Sequence, residues 1–268
     1  MKNNNKYKIL VLSDLTNNSV NVLKSAARIA QIVDGELEIF HVRKAIKVVE
    51  KESNLSAARS IKEHYVTIGK KLQSMATSVR EENQITTSHF SAFGNIKKEI
   101  ENHIENSKPD IVVIGKRVSK MPAFFGDGVV SFLMKKFKGV VVVADNENIL
   151  DSEAKLNMGL FNSNTTVSNN ELINSILATT KSPIHSFEVA NSIKGEPEKN
   201  QIGTERLVSY VFEKNDNTSH TIHKYMSKHK VNLLVVNRNN SNTNKNFTVS
   251  ELNDFIYNSK VPIVLFNN

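Results

Sequence analysis

Six basic residues, Lys116, Arg117, Lys120, Lys135, Lys136 and Lys138, fall within one stretch of 23. Ammonium and guanidinium groups at that density suit a small anion or an acidic partner, and they serve equally well as a solvated rim. His220 and His223 stand three apart on a candidate helix, the spacing of a metal pair, but no third ligand is near them in sequence. Exposed helix histidines are the plainer reading. His41 and His185 fall at the end of, or within, candidate strands, where an imidazole satisfied inside the core is the default. There is no cysteine, which excludes disulfides, cysteine-ligated zinc, iron–sulfur clusters and thiol catalysis. No nucleophile elbow, Walker loop or HExxH stretch occurs. These residue types point to binding, not to turnover.

The 268 residues carry 35 Lys+Arg against 27 Asp+Glu, a formal net charge of +8. Residues 1–150 hold 23 basic and 16 acidic side chains, net +7, whereas 151–268 hold 12 and 11, net +1. A basic half can draw nucleic acid, yet there is no Trp, only 5 Tyr, and no aromatic interleaving of the charge. No nucleic-acid partner is expected. No apolar run approaches a membrane span and the start of the chain lacks a signal-like apolar stretch, so the expectation is a cytoplasmic chain with no membrane partner.

The elements that must position these residues alternate in type. KILVLS at 8–13 reads as a buried strand, followed by polar residues and a helix from about Val20, with Ser19 placed to cap it. Leu23, Ala26, Ala27, Ala30 and Val33 share one face of that helix, and Asp34-Gly35 stops it. LEIFHV at 37–42 is a second strand. Ala58, Ile61, Tyr65, Ile68, Leu72, Met75 and Val79 mark a long amphipathic helix over 55–79. A third strand at 85–90, a helix through Ile96, Ile100 and Ile104, a strand at 110–114, a helix at 129–137 and a strand at 139–144 complete the half. Strands that are apolar throughout, alternating with helices, predict a parallel sheet covered on both faces.

The second half repeats the later part of this pattern at a constant offset of 122. Ile100 falls on Ile222, Ile104 on Met226, DIVVI at 110–114 on NLLVV at 232–236, Leu133-Met134 on Phe255-Ile256, and 141–143 on 263–265. Earlier the offset is nearer 148, placing Asp14 on Asn162. Between strands two and three the first copy has 42 residues (43–84) and the second 17 (190–206), so the second copy has lost the long helix. The domains expected are 1–150 and a shortened 151–268. One sheet face of the second should lack its cover unless the partner domain or a second chain supplies it.

The chain resembles a tandem universal stress protein. The features that carry this are KILVLSDLT at 8–16 with Asp14 after strand one, His41-Val42 ending strand two, Gly94 after strand three, DIVVIG at 110–115, a loop, Gly128 and a Val-rich last strand. The resemblance implies an α/β fold of two tandem Rossmann-like domains, each a five-stranded parallel sheet with flanking helices. It implies that the last strands pair, 140–143 with 263–266. ATP-binding members carry G-x2-G-x9-G-[ST] after strand four, where glycines let backbone approach phosphates and a helix start presents amides. Here Gly115 and Gly128 keep the first and last glycines, while Val118 and Val129 replace the second glycine and the hydroxyl. Positions matching the family's nucleotide contacts are Leu12, Asp14, Val42, Ile114, Gly115, Gly128, Val130 and Ser131. Asp14 would meet the ribose or a metal bridging to phosphate; its alternative is capping Asn17 or Asn18. Asp127 beside Gly128 works against an anion there. The second copy has an Asn-rich run at 237–246, Ser250 in place of Gly128 and Asn162 in place of Asp14, and is not expected to bind ATP.

The function expected is that of a non-catalytic stress-response protein whose first domain binds ATP or another adenine nucleotide weakly, with Mg if bound. The alternative is a ligand-free dimerisation or interaction module of the same fold, forming a homodimer or docking a protein partner. Slow ATP hydrolysis ranks third, because no positioned water or metal is legible.

Overall fold

The computed structural model describes residues 6–44, 54–116, 127–150, 154–161, 170–190, 201–202, 205–238 and 249–267. The chain divides into two compact units, Met1–Gly115 and Lys116–Asn268. The first contains β1 (Tyr7–Leu12), α1 (Ser19–Val33), β2 (Gly35–Arg43), α2 (Asn54–Asn83), β3 (Thr87–Phe93), α3 (Ile96–Ser107) and β4 (Ile111–Gly115). Its sheet is parallel throughout, in the order β3-β2-β1-β4. Ile9, Leu10, Val11, Ile39 and Ile111 are almost wholly buried, as strands covered on both faces must be. Helix α1 turns Ala26, Ala27, Ile29 and Ala30 inward, and α2 contributes Ile68, Leu72 and Ala76.

Local chemistry differs from expectation in three places. Asn18, not Ser19, occupies the N-cap of α1, and its side chain makes no capping bond. The left-handed residue that ends α1 is Asp34 (φ 56°), whose N–H bonds the Ala30 carbonyl. Gly35 instead opens β2, where a Cβ would come within 2.9 Å of Ile9 Cδ1. The third strand runs to Phe93 because its backbone pairs with β2 from Thr87 onward. As an edge strand it leaves Ser88, His89 and Phe90 exposed, which erases the apolar pattern a buried strand would show.

The second unit contains α4 (Asp127–Lys136), β5 (Val140–Ala144), β6 (Met158–Phe161), α5 (Glu171–Leu177), β7 (Ile184–Ala190), β8 (Gln201–Ile202), β9 (Glu205–Glu213), α6 (Thr218–Lys228), β10 (Leu233–Asn237), α7 (Val249–Asn258) and β11 (Ile263–Phe266). Five of these strands, in the order β11-β10-β6-β7-β9, are mutually parallel. Among the described residues no helix joins β7 to β9; the short β8 lies antiparallel to β9 instead. Helices α3 and α6, strands β4 and β10, and helices α4 and α7 begin 122 residues apart, so the offset read from sequence holds in three dimensions.

Strand β5 pairs antiparallel with β11, Val143 opposite Ile263, Val142 opposite Val264 and Val141 opposite Leu265. This is the expected pairing of the last strands, and it is held from both sides by cations at equivalent positions of the repeat. The Lys116 ammonium donates to the Ser259 carbonyl just after α7. Arg238, 122 residues later and 7% exposed, donates to the carbonyls of Phe137 (3.2 Å) and Gly139 (2.5 Å) just after α4, with a longer bond to Met134 (3.4 Å). Their backbones match too, Lys116 N–H bonding Ala144 O at 2.9 Å and Arg238 N–H bonding Phe266 O at 2.8 Å. Cations at helix C-termini satisfy carbonyls that the helix leaves open. Arg238→Met is expected to destabilise the chain by about 1–3 kcal/mol, because buried acceptors lose a charged donor. Lys116→Met is expected to cost less, having one such bond; urea midpoints of the two variants check the order.

Candidate functional site

In the first unit the chain leaves β1 toward β2 on one side and later returns to place β4 on the other. Such a reversal opens a crevice at the C-terminal ends of the central strands, the usual ligand position in open α/β sheets. Leu12 pairs with Phe40 on one side and Ile114 on the other. The parallel sheet therefore brings Leu12, Asp14, Val42, Ile114 and Gly115 to one end, all partly buried.

The turn at 13–15 is tightly bound. Ser13 N–H donates to Phe40 O (2.9 Å), and His41 Nδ1 lies 2.8 Å from Ser13 O, which sets Nδ1 as the donor. Asp14 Oδ1 accepts from Thr16 N–H (3.0 Å), Thr16 Oγ1 (2.7 Å) and Ser19 Oγ (2.8 Å). Asp14 thus orders the start of α1 through Thr16 and Ser19. Leu15 adopts φ 58°, and its carbonyl accepts from Lys71 Nζ on α2 at 2.6 Å.

Gly128, Val130 and Ser131 lie in the other compact unit, on the first turns of α4. Val129 is buried and Ser131 exposed. Val118, Arg117 and Lys120 lie outside the described residues. Among the described residues of the basic stretch, none stands at the start of α4. Lys135 and Lys136 occupy the last turn of α4, where they complement its C-terminus, and Lys116 is committed to Ser259.

The second unit fills with aromatic rings the place corresponding to the strand-one end. Phe161, 148 residues after Ser13, is fully buried and stacks on Phe255 at 4.5 Å. Phe255 in turn stacks on His223 at 4.5 Å. His223 is therefore not an exposed helix histidine. Burial first, and then the charge of Lys116, lower its pKa to about 4. Burial lowers Lys116 to about 8, against the opposing pull of Asp145. His185 also departs from expectation, since its buried Nδ1 has no hydrogen-bond partner among the described residues. Its ring lies 4.7 Å from that of His229, and burial, then His229, lowers its pKa. Among the described residues no three His, Asp or Glu side chains converge as a metal set, and no helix is long and apolar enough to cross a membrane.

The model of the universal stress protein family matches residues 7–144, just over half of the chain, from the first residue of β1 to the last of β5. The chain belongs to that family. Two solved structures match nearly its full length. A universal stress protein from Archaeoglobus fulgidus DSM 4304 aligns with TM-score 0.65 and 13% identity, over 98% of this chain and 96% of its own. A functionally unknown protein from Pseudomonas aeruginosa PAO1 aligns with TM-score 0.57 and 11% identity, over 97% and 92%. At these identities the likeness is one of fold. No curated protein matches the chain.

For this universal stress protein, sequence reasoning missed Lys71, Arg238 and Phe161. The repeat register could have found Arg238, because it stands 122 residues after Lys116. Lys71 carries no such signal; only the fold sets it against Leu15. The pKa shifts predict how stability varies with pH. Between pH 4 and 6.5 the unfolded chain binds more protons at His223 than the folded one, so stability falls as pH drops through that window. The depressed Lys116 acts the same way between pH 8 and 10.5, where stability rises with pH. His223→Gln is expected to flatten the acid limb and Lys116→Met the alkaline one, as read from chemical-unfolding midpoints across each window.

Proposed function

We propose that this stress-family protein acts by binding and that its first copy takes an adenine nucleotide weakly, at the crevice between β1 and β4. The observation that carries this is the bound turn at 13–15, which presents Asp14 where the strand order reverses. Leu12, Val42 and Ile114 would supply apolar surface to a base, and Asp14 a carboxylate to the ribose or to Mg. The phosphate end fits less well. Gly115 allows close backbone approach at the end of β4, whereas Gly128 and Ser131 lie in the second unit, where Val129 is buried and has no hydroxyl. A ligand held mainly by its nucleoside end is expected to bind weakly, with ATP, ADP and AMP differing little. Mg, when bound, would screen phosphate charge and is given no further part.

We take 1–150 and 151–268 as the duplicated copies, with the second copy carrying no nucleotide. The cytoplasm is the compartment in this reading, and slow hydrolysis is no part of it. A second reading, a ligand-free interaction module or homodimer, is favoured by the absence, among the described residues, of a helix between β7 and β9. The nucleotide content of protein purified without added ligand separates the two. Calorimetric titration to millimolar ATP, ADP and AMP is expected to give saturable heat, weakened about tenfold by Asp14→Ala, the size of a lost charged hydrogen bond. Absence of any binding heat in the unmodified protein would overturn the nucleotide reading.

A further inference from the structure

Five non-glycine residues among those described have positive φ. Asp34, Gln84, Lys108 and Lys230 each follow the end of a helix, where a left-handed residue is ordinary capping geometry. Leu15 differs, because it follows a strand and precedes a helix. A leucine there crowds its Cβ against the backbone, and the conformation persists only where surrounding bonds over-determine it. Those bonds come from three directions. Leu15 N–H donates to Ser13 Oγ at 3.2 Å within the turn, His41 of β2 holds the Ser13 carbonyl, and Lys71 of α2 holds the Leu15 carbonyl. Lys71 is itself exposed, but it stands beside fully buried Leu72 on a helix seated in the core, so its Cα is fixed.

We infer that Lys71 is a positioning residue: its ammonium group holds the Leu15 carbonyl, and so the left-handed turn that keeps Asp14 at the β1/β4 crevice. That this geometry serves a nucleoside ligand rests on the function proposed above. The same reasoning accounts for the difference between the copies. The lysine rides on α2, and among the described residues the second copy has no helix between β7 and β9 to carry its counterpart.

The test compares Lys71→Met, Lys71→Arg and the double variant Lys71→Met with Leu15→Gly in the full chain. Amide hydrogen exchange without ligand reads the clamp, and AMP titration reads its use. Lys71→Met is expected to speed exchange at Leu15 and Thr16 about fivefold or more, leaving Leu10 and Val112 in the core unchanged, and to weaken AMP about tenfold. Lys71→Arg restores both. The double variant recovers AMP affinity, because glycine takes the left-handed turn without help. Unchanged exchange at Leu15 and Thr16, or an equal rise at Leu10, overturns the clamp. Faster exchange confined to the turn supports it, even if the unmodified protein binds no AMP; in that case the nucleotide reading alone falls.

Discussion

Parallel strands cannot be joined by tight turns. Each must be followed by a crossover that returns the chain to the starting end of the sheet, so in the first unit every strand-to-helix loop emerges at the same end. Most of what matters there follows from that constraint. It gathers Asp14, Val42 and Gly115, far apart in sequence, at the ends of β1, β2 and β4. It also makes the interval between β1 and β4 the point where the strand order reverses, the usual ligand position in sheets of this kind.

The turn after β1 shows how such an end is stabilised. A leucine in the left-handed region is locally unfavourable, and the side chains of Ser13, His41 and Lys71 offset it. The strain sits where the functional reading places the ligand, which is where proteins commonly retain it. In the second unit the corresponding place is packed. Phe161 and Phe255 stack there, and His223 is partly buried at a cost in its protonated form.

The β5–β11 ladder joins the last strands of the two copies, and its reciprocal cations preserve the register of the duplication. Lys116 and Arg238 occupy equivalent positions and reach equivalent carbonyls, yet they are not equivalent chemically. Burial lowers the lysine to about 8 and the arginine to about 10, so only the lysine comes near physiological pH. The guanidinium also spreads its donors over several carbonyls, which a single ammonium at Lys116 does not.

The alternation of elements, the constant offset of 122 and the shorter link between β7 and β9 were legible in the sequence, because apolar periodicity and spacing are local and survive duplication. The pairing of the Val-rich last strands was an expectation from the family resemblance, and β5 does pair with β11. Strand β3 was read at 85–90, but its backbone pairs with β2 over 87–93, so its limits are set by the ladder and not by apolar pattern. What only the tertiary structure decided was the partner of each charge. Six basic residues adjacent in sequence looked like one cluster. Three-dimensional packing assigned Lys135 and Lys136 to the far end of α4 and Lys116 to a carbonyl 143 residues away. It also set Lys71 against Leu15, 56 residues earlier in the chain. Periodicity reports which face of an element is buried; a long flexible side chain acts where its tip reaches, and that is decided by the packing of other elements.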